Sequence, residues 1–441
     1  MNRKVMCVIV AAVVLFGWVF MSSADSPVLY AASGKSISAG IAKIKTTPET
    51  PIPMSGYGGR KGPFKGIHDD LFARTVVFSD GENTAALIAV DLSGFSNDLW
   101  DEISTEISDK TGIPKENIIL SGTHTHDGPT TRGYKEVSGR GYNQTYSADV
   151  AAYVKMLKQN LVSVVTEAKG NLAPVRIGAG EGECLMNINR RAEDGKGNIT
   201  LGRNPYGPCD HEVAVVRIDN VQGDPVAVFV NWPCHGVVMG PQNYLISGDW
   251  PGAAARYVEN NLGKNVIVPV TAGASGNINP IYGPHMNFES SYAYAVDAIG
   301  KILGEEVIRV AKEVETSSSG SVSCSQRLIT LPGKKRSASN IQKGGWEPGP
   351  DFNIRLSVLR VGNVVFTGVS GEVFTQIGMQ VKELSPYKNT CMITHCNGSS
   401  GYLVTDDAYP KGGYEVRSTR ALVGTEKAIV VNLVDMIKKS N

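Results

Sequence analysis

Two histidines two positions apart, His124 and His126 in Gly122-Thr123-His124-Thr125-His126, close the apolar run Asn117-Ile118-Ile119-Leu120. That run follows Pro114, is short and β-branched, and reads as a buried strand. Side chains i and i+2 of a strand share a face, so both imidazoles are expected in one cleft, with Asp127-Gly128-Pro129 turning the chain behind them. Paired imidazoles suit metal ligation or proton transfer. A third histidine, His235, follows Val228-Phe229-Val230-Asn231-Trp232, and Glu372 follows the run from Val364 to Val369, each at an expected strand end. Two histidines and a carboxylate from separate strands are a common catalytic zinc set, because they leave a coordination position for water. Spacing alone does not join residues so far apart, and a core histidine or a helix-start carboxylate accounts for His235 or Glu372 equally well.

The elements that must position these groups alternate in the manner of an α/β protein. Leu71 to Phe78 and Ala85 to Leu92 read as strands around Asp80-Gly81, and Leu99 to Thr111 as a helix. A second helix starts at the N-cap Ser147, with Val150, Val154, Leu157, Leu161 and Val165 on one face and Gly170 at its end. Val213 to Ile218 and Val226 to Asn231 form an expected antiparallel pair, Val266 to Val270 a buried strand, and Tyr292 to Glu315 a long helix. Ser317 to Gly320 is the one candidate linker; Phe352 to Val361 with Val364 to Val369 reads as a hairpin, and Ser418 to Lys439 as a closing helix. The expected architecture is mixed β-sheets flanked by helices, in a single large domain with its metal site at strand ends, where open α/β sheets build sites.

The 441 residues carry 43 basic and 42 acidic side chains, a balance with no electrostatic footprint for nucleic acid. A small-molecule or lipid-like partner fits better. Arg3 and Lys4 precede an apolar run from Val5 to Met21 and then Ser22-Ser23-Ala24, so residues 1–24 read as a signal peptide or N-terminal anchor and residues 25–441 as the exported protein. Besides Cys7 there are Cys184, Cys209, Cys234, Cys324, Cys391 and Cys396. An even number permits three bridges outside the cytoplasm, but no CxxC pair is present and structural or free thiols are expected.

The octet from Gly122 to Pro129, the Asn231-Trp232-Pro233-Cys234-His235-Gly236 strand end, Ser370-Gly371-Glu372 with Phe374-Thr375, and Gly401-Tyr402 with Gly413-Tyr414-Glu415 together resemble the catalytic domain of neutral ceramidases. Met54-Ser55-Gly56-Tyr57 and the segment from Gly66 to Leu71 are similar too, so the likeness runs from about Ile41 to the end. It implies a zinc-dependent hydrolase of a linear amide in an N-acyl lipid such as ceramide, with possible membrane-surface association. The implied metal ligands are His124, His235 and Glu372, with Tyr402 near or on the metal. His126 corresponds to the histidine that contacts the reacting amide, Tyr414 to a tyrosine facing the substrate carbonyl, and Arg190 to an arginine that binds the substrate head.

Three departures stand out. Arg191 replaces a small residue after Arg190, and the family's GDVSP segment reads Gly276-Asn277-Ile278-Asn279-Pro280, which excludes a nucleophile at that serine. The family's larger members carry an immunoglobulin-like C-terminal domain, expected to be absent here. Two other readings compete: a non-catalytic envelope protein that binds a ligand on the same fold, favoured by Asn277 and Asn279, and a zinc esterase or lactonase.

The export segment yields the first expected outcome. The mature protein begins near Asp25 and is found outside the cytoplasm, as N-terminal mass spectrometry would show; an intact Met1 on a soluble cytoplasmic protein contradicts it.

Overall fold

Three strand–helix–strand crossovers organise the chain. The strand Thr84–Val90 leads through the helix Asn97–Thr111 to the parallel strand Ile118–Gly122. Pro225–Trp232 leads through the helix Asp249–Leu262 to Val270–Ala272, and Val364–Val369 leads through the helix Thr375–Leu384 to Asn389–Ile393. A parallel neighbour needs such a crossover, whereas the intervening pairs are antiparallel and close through short turns, as between Phe72–Ser79 and Thr84–Val90. The computed structural model describes residues 35–135, 147–263, 265–284, 292–335 and 347–440. The expected signal segment and Cys7 lie outside them.

The first two crossovers share an eight-stranded mixed sheet, in the spatial order Val270–Ala272, Pro225–Trp232, Glu212–Asn220, Ala173–Glu183, Ser38–Lys45, Phe72–Ser79, Thr84–Val90 and Ile118–Gly122. The third belongs to a four-stranded sheet with the hairpin Val322–Lys334 and Pro348–Val361. The two sheets pack face to face through Val76, Phe78, Phe229, Leu359 and Phe366. Helices cover the outer faces, so the section reads helix, sheet, sheet, helix. The helix Ala148–Gly170 packs on one half of the larger sheet; as expected, Ser147 caps it by accepting from Val150 N, and Val150, Val154, Leu157, Leu161 and Val165 are buried. The helices Asp249–Leu262 and Tyr292–Glu313 cover the other half, and Thr375–Leu384 with Thr425–Lys438 cover the smaller sheet. Among the described residues no helix is long and apolar enough to cross a membrane.

Several expectations need correction. The buried strand is Val270–Ala272 and not Val266 to Val270; the stretch before it bonds Pro225–Trp232 through an isolated bridge at Ile267 and through Pro269 O, but Pro269 has no N–H to continue the ladder. Ser317 to Gly320 is no linker: Ser317 bridges Ile177 and Ser319 bridges Ser36, tying it to the sheet. The closing helix is Thr425–Lys438 and starts after Gly424 at φ 95°, not at Ser418, which instead ends the short helix Tyr414–Ser418. Cys184, Cys209, Cys234, Cys324, Cys391 and Cys396 are free thiols, as expected.

The joint between the sheets is the segment Thr394–Asn397, which leaves the strand Asn389–Ile393 and enters the gap between the two edges of the larger sheet. Thr394 N donates to Ala272 O (3.1 Å) on one edge, while Gly122 N donates to His395 O (3.3 Å) and Asn397 N to Leu120 O (2.9 Å) on the other. His395 at φ 52° and Asn397 at φ 57° make the turns that let one short segment serve both edges. The buried Asn397 amide is fully used: its Oδ1 accepts from Trp100 Nε1 (2.9 Å) and Leu120 N (2.8 Å), and its Nδ2 donates to Ile118 O (2.9 Å) and Ser357 Oγ (3.0 Å). An apolar side chain there strands two buried donors at about 1–3 kcal/mol each. Asn397→Leu is therefore expected to lower the stability measured by urea unfolding by at least about 3 kcal/mol, with loss of native packing at that joint.

Candidate metal centre

Five strand ends converge at this joint, and each delivers a polar side chain. The segment after Ile118–Gly122 carries His124 and His126, Pro225–Trp232 delivers His235, Val364–Val369 delivers Glu372, Val270–Ala272 leads to Ser275 and Asn279, and Asn389–Ile393 leads to His395. All are carboxyl ends of strands with a parallel neighbour. The two histidines do meet as the sequence predicts, but not by strand alternation. The strand ends at Gly122, and His124 has φ 63°, so a left-handed turn folds its ring back until His124 Nε2 and His126 Nε2 are 3.2 Å apart. Gly56 closes over them: a Cβ there would lie 2.5 Å from the His126 ring.

The backbone sets the tautomers. His124 Nδ1 lies 2.8 Å from Ser93 O, and His235 Nδ1 lies 2.7 Å from Ser275 O and 3.0 Å from Ile278 O. Carbonyls only accept, so both Nδ1 atoms carry the proton and both Nε2 lone pairs face inward. Glu372 Oε2 stands 3.8 Å from His124 Nε2 and 3.5 Å from His235 Nε2, buried and without a hydrogen-bond donor. Three lone-pair donors thus face one another with no proton between the carboxylate and either ring. Such an arrangement is relieved only by positive charge; the Arg190 guanidinium answers part of it at His235 Nε2, and the donor set fits a metal. The ligating atoms of His124, His126 and His235 all lie within 4.8 Å of one another. Burial pushes the pKa of His124, His126, His235 and His395 down, so these rings stay neutral, the form in which an imidazole can offer a lone pair to a metal. Burial opposes ionisation of Glu372, but the His124 and His395 rings, the Tyr402 hydroxyl and Arg190 outweigh it and hold the carboxyl below its usual range.

Arg190 is brought into the same centre. Its Nη1 donates to His235 Nε2 (3.1 Å) and, at 3.4 Å, to Asn279 Oδ1, and its Nη2 donates to Tyr402 OH (3.0 Å). Glu415 fixes this guanidinium from behind, accepting Arg190 Nε at Oε1 (2.8 Å) and Arg191 Nη1 at Oε2 (2.8 Å). Arg191, the residue that departs from the family pattern, also donates to Gly412 O (2.7 Å) and so pins the loop ahead of Tyr414. Tyr402 is buried and Tyr414 is 41% exposed, with ring centroids 5.6 Å apart, which places Tyr414 at the rim.

The asparagines at the departed positions have their own work. Asn277 Oδ1 accepts from Thr375 N (2.8 Å) and caps the helix that follows Glu372, while Asn279 faces Arg190. Gly276 lies so close to the Glu372–Val373 backbone that a Cβ would be 2.7 Å from Glu372 O. Sequence reasoning missed His395, Tyr57 and Arg60. The rule that selects His235, a histidine just past an apolar run, also selects His395 after Cys391-Met392-Ile393. Tyr57, edge-on to His126 with centroids 5.0 Å apart, and Arg60, which donates to His126 O (2.7 Å), come from a loop whose pattern announces no chemistry.

Residues 36–280 match the family described as neutral/alkaline non-lysosomal ceramidase, N-terminal. The chain is 31% identical over 242 residues to a neutral ceramidase of Mycobacterium tuberculosis, covering 52% of this chain and 36% of that protein. It is 28% identical over 249 residues to neutral ceramidase A of Dictyostelium discoideum, covering 54% and 34%. The matched part therefore spans about a third of the length of these curated relatives. The fold superposes on the crystal structure of neutral ceramidase from Pseudomonas aeruginosa with a TM-score of 0.74 at 18% identity, over 92% of this chain and 74% of that one. A second structure, a ceramidase complexed with C2, gives a TM-score of 0.72 at 18% identity, over 91% and 75%.

Beneath His126 sits a buried acidic pair. Asp127 accepts from Arg60 Nη2 (3.2 Å) and Asn243 Nδ2 (2.8 Å), and Asp249 accepts from Trp250 N (2.7 Å) and Met239 N (3.2 Å). Burial pushes both carboxyls up, Asp249 to about 6 and Asp127 well above its ordinary value, and Asp249 adds to the rise in Asp127. The folded state therefore binds more protons than the unfolded chain above pH ~4, and this pair makes stability fall as pH rises from about 4 through 6. Asp249→Asn is expected to flatten that part of the pH profile of the urea midpoint. An unchanged slope between pH 4 and 6 would contradict the assignment.

Proposed function

We propose that this chain, which belongs to the neutral/alkaline non-lysosomal ceramidase family, is an exported zinc-dependent amidohydrolase that cleaves the amide bond of an N-acyl lipid such as ceramide. The observation that carries this reading is the set of inward lone pairs on His124, His235 and Glu372, held by backbone carbonyls that leave the rings no other tautomer. Imidazole and carboxylate donors suit zinc, and His124, His235 and Glu372 would hold it, with Tyr402 beside Glu372. When bound, zinc supplies an activated water at neutral pH and polarises the substrate carbonyl.

The remaining residues divide the work by how firmly each is held. No carbonyl fixes the tautomer of His126, whose Nδ1 is buried without a partner. That ring can exchange a proton, so it takes one from the attacking water and delivers it to the departing amine. Tyr414, at the rim, donates to the oxygen that gains charge as the carbonyl is attacked. Arg190 is rigid because Glu415 clamps it, and it binds an oxygen of the substrate head while limiting how deeply the head enters. Asn279 holds no nucleophile, and the reading needs none. An amide-bearing lipid would be met at a membrane surface, with the protein exported to reach it.

Parallel variants test these roles. His124→Ala is expected to lose both zinc, by elemental analysis, and amide hydrolysis. His126→Ala is expected to stay folded and zinc-loaded while turnover falls about a hundredfold or more. Native protein that binds no zinc, or that cleaves esters but no N-acyl amide in a side-by-side screen, overturns the reading; a fully active His126→Ala overturns its mechanism.

A further inference from the structure

A fourth imidazole reaches this centre. His395 is 6% exposed, and its Nε2 is buried with no hydrogen-bond partner. Its ring lies flat on that of His124, with centroids 3.5 Å apart and an interplanar angle of 15°. The backbone holds it at φ 52°, a left-handed conformation that L-residues other than Asn and Asp rarely adopt. His395 N donates to Gly371 O (3.2 Å), adjacent to Glu372, and its carbonyl accepts from Gly122 N (3.3 Å), so both ends of the residue are tied to segments that carry the proposed ligands. A strained backbone and an orphaned buried nitrogen at the same residue point to a role outside packing, since an apolar side chain would fill this space without the cost of burying an unpaired nitrogen.

The stack also limits what that role can be. An imidazole binds a metal through a lone pair in its ring plane. Two rings stacked face to face have nearly parallel planes and do not both aim at one ion. With His124 fixed toward the centre by Ser93 O, His395 is left beside the ligand set. Its side chain also makes no ion-pair contact with Glu372, although His124 and His235 both do.

We infer that His395 is a further working residue of this centre: its stack fixes the rotation of His124, and its Nε2 hydrogen-bonds an oxygen atom of the reacting water or substrate beside that ring. The inference rests on His124 being a ligand. It explains why a histidine occupies a position that otherwise demands only a compact turn, and it adds a polar contact, besides Arg190, for an oxygen entering the centre.

Two variants separate the two halves of the role. His395→Phe keeps a flat ring over His124 and removes the nitrogen; His395→Asn keeps a polar amide and tolerates positive φ but removes the stack. Melting temperature, zinc affinity by chelator competition, the visible spectrum of the cobalt-loaded protein, and kcat and KM on a short-chain ceramide analogue are measured for both. The Phe variant is expected to bind zinc within about threefold of the native protein, shift the cobalt spectrum and lose kcat about tenfold or more at little-changed KM; the Asn variant is expected to bind zinc about tenfold more weakly. Variants that match the native protein in zinc affinity, cobalt spectrum and turnover overturn the inference. So does a Phe variant whose lost turnover merely follows lost zinc or a collapsed melting temperature. A native protein that takes up no zinc instead overturns the ligand reading beneath it.

Discussion

Ser93 O and Ser275 O each accept the Nδ1 proton of a buried histidine, and the electrostatics of the centre follow from those two contacts. Once the protons are spent outward, the Nε2 lone pairs of His124 and His235 point inward toward Glu372, whose Oε2 has no donor. Like-signed lone pairs in a buried volume repel, and burial keeps the rings from relieving this by taking up protons. The protein therefore holds a site that favours a cation before any cation arrives. Arg190 answers part of that demand by donating to His235 Nε2, and Glu415 ensures that the guanidinium stays within reach without collapsing into the cleft.

Those carbonyls are in the right place because of the two-sheet construction. Each proposed ligand follows a strand whose carboxyl end points toward the joint, and the joint is held by Thr394–Asn397 bonding to both edges of the larger sheet. Asn397 spends all of its amide hydrogen bonds there, which makes the seam specific as well as stable. His395, one position from Cys396 and two from Asn397, is carried into the centre by the same turn. Structural and chemical demands meet in four consecutive residues, so a change that loosens the seam also moves the ring stacked on His124.

The departures from the family pattern fit this construction. Asn277 caps the helix after Glu372, Asn279 faces Arg190, and Arg191 braces the loop that presents Tyr414. Each is a buried polar residue with a partner, and together they hold the walls of the cleft. This arrangement weakens the case for a silent binding protein, because the side chains that differ support the site and do not fill it.

The sequence by itself determined the parts whose signals are local. The helix from Ala148 announces itself through Ser147 and its apolar face, the strand ends through short β-branched runs, and His124, His126, His235 and Glu372 through their place just beyond those runs. It also carried the family likeness, since ordered motifs survive where overall identity is low. Only the tertiary structure decided what depends on contacts between distant segments. It showed that His124 reaches its partner through a left-handed turn and not through strand alternation, that the serine-rich stretch is bound to the sheet, and that the closing helix begins only after Gly424. Tautomers fixed by the carbonyls of Ser93 and Ser275, an arginine clamped by Glu415 from 225 residues away, and a fourth histidine stacked on the first are long-range facts. Periodicity reports which face of an element is buried; it does not report which buried face another segment will meet.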